Sequence, residues 1–143
     1  MNIVPTNTQQ ELYQLHLVGN VLCVEMNSVW STSTVKKVLK DTQELVDGIK
    51  EKPWAAIVDI RNWIMPTFEA FEGFQEIYDW CAANNQSHEV TLCRFDVQKS
   101  IIGDVSSYDT EHQFYTQSPE QAEQWLLDKG FTFSLENWHQ IKL

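Results

Sequence analysis

The sequence predicts an α/β fold in which helices pack against a mixed β-sheet, and three observations carry that prediction. The hydrophobic period switches several times between that of a strand and that of a helix, giving the order β-β-α-β-α-β-β-α. A nearly all-apolar run, Trp54 to Ile60, is broken only by Asp59, as suits a central strand covered on both faces. A chain of 143 residues with 43% hydrophobic content suits one domain over residues 1–143, and domains near this size bury roughly 70% of their unfolded-chain surface.

Each element has its own local reason. Tyr13, Leu15 and Leu17 alternate with Gln14 and His16, and Gly19-Asn20 separates them from Val21 to Met26, an antiparallel hairpin. From Ser33 the spacing becomes helical, with Val35, Val38, Leu39, Leu45, Val46 and Ile49 on one stripe and Thr42 filling its gap. This helix stops between Gly48 and Pro53, where the central strand begins. Pro66-Thr67 opens a second helix with Thr67 at the N-cap, Glu69 and Glu72 near the positive end of its dipole, and Ala70, Phe71, Phe74, Ile77, Tyr78 and Cys81 on one face. Val90 to Phe95 reads as a strand, Asp96 to Glu111 as irregular, and Gln113 to Thr116 as a short strand. A helix comes next, with Ser118 at the N-cap, Pro119 at N1, Gln121 at N3 and Gly130 at C′. The tail from 131 to 143 brings Phe131, Phe133 and Leu135 in alternation, then Trp138, Ile141 and Leu143. Such apolar residues must be buried on the chain's own sheet or on a second copy in a homodimer.

Composition excludes several functions. A formal charge of -10 repels phosphate backbones and anionic lipid surfaces, so nucleic acid is not an expected partner. Lys36, Lys37, Lys40, Lys50 and Lys52 are interleaved with Asp41, Glu44, Asp47 and Glu51, the pattern of a solvated helix face. The start lacks a basic, apolar leader and no stretch approaches the roughly 20 apolar residues of a membrane span, so the expected location is the cytoplasm. Cys23, Cys81 and Cys93 are odd in number and sit in apolar surroundings, as reduced core thiols do. None of the five glycines belongs to a phosphate-cradling loop, the four histidines lack metal-ligand spacing, and GxSxG is absent. The expectation is a non-enzymatic protein with no cofactor and no metal; an enzyme of unknown class is the rival.

The segment from Asp59 to Phe68 holds the candidate surface. Sites in such sheets lie beyond the carboxyl ends of the parallel strands, and the loop from Asn62 to Pro66 occupies that place. Asp59 is either a functional carboxylate there or a structural one paired with Arg61. Trp63, Met65 and Phe68 load one turn with apolar side chains, either as a contact surface or pocket rim or as plugs at the end of the core. The two readings differ in magnitude: truncating Trp63 or Phe68 at a surface would cost less than about 1.5 kcal/mol of stability, and truncating a plug roughly 3–5 kcal/mol.

The hairpin, the helix from Ser33, the strand AAIVDIRNW and the helix after it resemble the anti-sigma factor antagonist, or STAS, fold, and within it the divergent small bacterial SpoIIAA-like proteins. The resemblance covers roughly residues 10 to 130 at the level of element order. It implies an interaction or regulatory module with a protein partner, whose surface would comprise Asp59, Arg61, Trp63, Met65, Thr67 and Phe68. Regulatory members carry a phosphorylatable serine in an Asp-Ser-Ser/Thr-Gly motif after this strand, whereas Ile64 to Phe71 here has no serine and no glycine, with Thr67 its only hydroxyl. The serine phospho-switch is therefore not expected. The alternative partner is an apolar, lipid-like small molecule, since related folds act as carriers and apolar pockets leave little sequence signature.

Overall fold

The computed structural model describes residues 12–64, 68–105, 109 and 111–142, with side chains throughout except at 68, 69, 71, 101–105 and 142. The described strands are β1 (Tyr13–Val18), β2 (Val21–Val29), β3 (Trp54–Ile64), β4 (Gln86–Leu92) and β5 (Gln113–Thr116). The described helices are α1 (Thr32–Val46), α2 (Phe68–Ala83), α3 (Asp96–Val105), α4 (Pro119–Asp128) and α5 (Leu135–Lys142). The strands lie side by side in chain order. β1 pairs antiparallel with β2 through the Gly19-Asn20 turn, and β2, β3, β4 and β5 run parallel, so the sheet is mixed.

Strand alternation divides the core in two. Leu22, Val24 and Met26 of β2 and Ala56, Val58 and Ile60 of β3 face α1 and α2, meeting Val35, Val38 and Val46 from the first helix and Ala70, Phe74, Tyr78 and Cys81 from the second. Val21, Cys23, Ala55 and Ile57 face the other way, against Ala122 and Leu126 of α4 and Phe131, Phe133 and Trp138 of the tail. A central strand sandwiched in this way needs apolar residues on both faces, which is why β3 reads as a continuous run. The two helices of the first layer approach closely at Gly73, where a β-carbon would stand 2.8 Å from Val35 Cγ1.

Caps set the helix boundaries, those of α4 as expected and that of α1 at Ser31, just before the expected start at Ser33. Ser31 Oγ accepts from Thr34 N, and Ser118 Oγ from Gln121 N at 3.2 Å, with Pro119 in the first position of α4. Gly130 adopts φ +93° just past the helix end, a conformation natural to glycine. Cys23, Cys81 and Cys93 are buried thiols.

Four expectations are corrected. β3 does not end at Ile60 but continues to Ile64, so Asn62 to Ile64 are strand rather than loop. β4 runs from Gln86 to Leu92, not Val90 to Phe95, because in its polar first half Gln86 and Glu89 are buried through hydrogen bonds rather than apolar contact. Asp96–Val105 is helical instead of irregular. The tail carries a further helix, capped by Ser134, whose hydroxyl accepts from Asn137 N at 3.3 Å. The tail's Phe131, Phe133 and Trp138 are buried on the chain's own sheet, the first of the two alternatives; Leu143 lies outside the described residues.

Candidate interaction surface at the carboxyl edge of the sheet

The carboxyl ends of β2, β3 and β4 form one edge, and its shape comes from a bulge in β3. Glu25 pairs with Asp59 but Asn27 pairs with Asn62, so β3 spends one residue more than β2 over this interval. The extra residue inverts the facing of the strand beyond it. Trp63 would otherwise share the face of Ala55 and Ile57; instead it joins the α1–α2 core.

Asp59, only 7% exposed, holds the bulge. Its Oδ1 accepts from the Arg61 backbone N–H at 3.1 Å and from Arg61 Nε at 3.0 Å, and its Oδ2 accepts from Arg61 Nη2 at 2.9 Å. The hydrogen bonding raises the guanidinium pKa against the opposing effect of burial, helped by the charges of Asp59, Glu25 and Glu120. Asp59 thus makes the pairing with Arg61 that its structural reading expects, while Arg61 keeps its outer rim in solvent.

Trp63 is corrected from surface to core. It is 4% exposed, with its ring 5.3 Å from Phe74 and 6.1 Å from Trp30 between centroids. The core-plug reading describes it, although its buried indole N–H has no hydrogen-bond partner among the described residues. Met65 and Thr67 lie outside the described residues, as does the side chain of Phe68, whose backbone opens α2.

Sequence reasoning missed Gln98, which ties this edge together. Its Oε1 accepts from Arg94 N at 2.7 Å and Phe95 N at 3.1 Å, while its Nε2 donates to Ile60 O at 2.7 Å and Trp63 O at 3.1 Å. One buried carboxamide therefore satisfies the backbone of both the bulge and the turn into α3, and Arg94 Nη2 adds a bond to Asn62 Oδ1 at 3.1 Å. A polar residue acting through tertiary contacts has no periodic signature.

The edge presents an apolar surface to solvent. Val29 and Ile64 are register partners, 44% and 58% exposed, and Phe95 and Val97 on the clamped turn are each 57% exposed. The chain's two arginines, Arg61 and Arg94, stand on the same edge. Burial pushes the Cys81 thiol up to about 12 and the Cys93 thiol up to about 11, so neither is an activated nucleophile. Among the described residues, no helix is long and apolar enough to cross a membrane.

No family model matches the sequence, and no curated protein matches it. Solved structures do match. A DUF3478-family protein from Shewanella loihica PV-4, described as uncharacterized with a SpoIIAA-like fold, aligns over 80% of this chain and 91% of its own at 10% identity, with a TM-score of 0.63. The anti-sigma factor antagonist SpoIIAA in its unphosphorylated form aligns over 83% of this chain and 99% of its own at 9% identity, with a TM-score of 0.56. The chain has a STAS-like, SpoIIAA-like α/β fold.

Proposed function

We propose that this chain is a non-enzymatic, cytoplasmic interaction or regulatory module of STAS type that binds a protein partner through the carboxyl edge of its sheet. One observation carries the reading: four exposed apolar side chains, Val29, Ile64, Phe95 and Val97, gather with both arginines on an edge that a buried glutamine makes rigid. Aromatic residues and arginine on a preorganised surface are the composition of interface centres. The fold it shares with SpoIIAA supports the same reading. Regulation by serine phosphate is no part of it, since Ile64 to Phe71 contains no serine.

The test is a pair of charge substitutions, Ile64→Asp and Phe95→Asp, set against Leu127→Asp on α4, another exposed apolar position. All three should fold with unchanged circular dichroism. The two edge variants should each weaken binding of a partner identified with the native protein at least tenfold, and Leu127→Asp should leave it intact. Equal binding by all three would refute the assignment.

A further inference from the structure

A second feature lies away from the edge. Between the sheet and the α1–α2 layer is a cavity of about 50 Å3, walled by Leu22, Val24, Val38, Val58, Phe74 and other apolar side chains. Its polar lining is Thr42 and a group made of Tyr78, Gln86 and Glu89. Glu89 is 3% exposed. The Tyr78 hydroxyl donates to Glu89 Oε2 at 2.7 Å, and the side chains of Gln86, Gln113 and Thr91 also hydrogen-bond the carboxyl group. All four are neutral donors. Buried carboxylates are ordinarily paired with a cation, because neutral hydrogen bonds do not replace the hydration of a full charge. Here burial outweighs the four bonds and pushes the carboxyl up to about 7. A buried acid beside an apolar cavity, held among the described residues by neutral groups, is a costly feature for packing alone and a common one at binding sites.

We propose that this cavity binds a short aliphatic primary amine, its ammonium group set against Glu89 and the Tyr78 hydroxyl oxygen and its alkyl chain lying along Leu22, Val24 and Val58. The ammonium supplies the counter-charge that the neutral donors lack, and the Tyr78 oxygen, whose O–H donates to Glu89, still accepts. A carboxylate ligand would be repelled, and an alcohol would leave the charge uncompensated. Size limits the ligand to a short chain of a few heavy atoms, since an apolar cavity of about 150 Å3, some three times larger, takes benzene. The chain's formal charge of -10 favours the approach of a cation.

The experiment is a titration of full-length protein, methyl-labelled at Leu and Val, with propylamine at about pH 8, where an alkylammonium remains charged. 1-Propanol and propionate serve as controls. Saturable shifts should be confined to the methyls of Leu22, Val24, Val38 and Val58. Glu89→Gln should weaken propylamine binding at least tenfold, and Val38→Ile, which puts a methyl group into the cavity, should do the same. Propanol binding as tightly as propylamine, the absence of saturable shifts, or undiminished binding by Glu89→Gln would each overturn the proposal. If Glu89→Gln fails to fold, Val38→Ile decides it, and retained amine binding there would overturn it.

Discussion

Asp59 accepts three hydrogen bonds from one residue, Arg61, which lies two positions further along the same strand. The contact lets β3 carry a charged pair through its bulge without leaving a buried carboxylate unpaired. It converts the acid at the end of an apolar run into a brace for the edge beyond it. Replacing Asp59 should therefore loosen the edge before it unfolds the sheet. Asp59→Asn keeps an oxygen that accepts from the Arg61 backbone and should cost about 1–2 kcal/mol, with Asp59→Ala costing more, in the range of hydrogen bonds to charged groups. Urea denaturation orders the two variants.

Trp63 should behave as core. Trp63→Ala should lower the unfolding free energy by about 3–5 kcal/mol, as large-to-small changes at buried aromatic positions do. Trp63→Phe keeps a ring against Trp30 and Phe74 while removing an N–H that has no partner among the described residues, so its cost should be less than half as large. Denaturant titration measures both, and equal costs would place the indole's contribution elsewhere.

Glu89 makes stability depend on pH in a defined direction. Its folded pKa of about 7 lies above the ordinary 4.5, so the folded state holds the proton more tightly than the unfolded chain. The stability this contributes is fully present below the unfolded pKa and is lost as pH rises through the folded one, a change on the order of 3 kcal/mol. The groups facing it, Tyr78 and Cys81 from α2 and Tyr115 from β5, are themselves held protonated over this range by burial. The native protein should thus lose stability between about pH 4.5 and 7 relative to Glu89→Gln. Parallel slopes for the two proteins would contradict this.

Gly73 and Val35 should be coupled. A methyl group at position 73 would stand 2.8 Å from Val35 Cγ1, on a side chain whose β-branching leaves it little rotamer freedom in a helix. Gly73→Ala should cost about 1–3 kcal/mol by overpacking. Val35→Ala should relieve it, so the double variant should be more stable than the sum of the single changes predicts.

Much of the fold was legible because its signals are local. The hairpin turn, the stripe of α1, the apolar run of β3 and the Ser118-Pro119 start of α4 each depend on neighbours in sequence. The misread elements depend on distant partners. Gln86 and Glu89 are buried in β4 through polar contacts, which hydrophobic alternation does not register. The first turn of α3 is fixed by Gln98 reaching across to β3. Phe131 and Phe133 alternate like a strand, yet they line the approach to α5, where Trp138 completes the packing. At the candidate site, Asp59 and Arg61 were legible as a pair, whereas the bulge that turns Trp63 inward shows only in the register with β2. Ile64 and Phe95, lying in separate elements, gave no sign that they share an edge.

The most direct test of the edge as a partner surface is site-specific photocrosslinking in cells. A photoreactive phenylalanine analogue at position 95, where Phe95 is exposed, is compared with the same analogue at Lys36 on the solvent face of α1. The account predicts one defined adduct from position 95, lost when Ile64→Asp is added, and none from position 36. An adduct of equal yield from position 36, or none from position 95 while the partner still co-purifies, would contradict it.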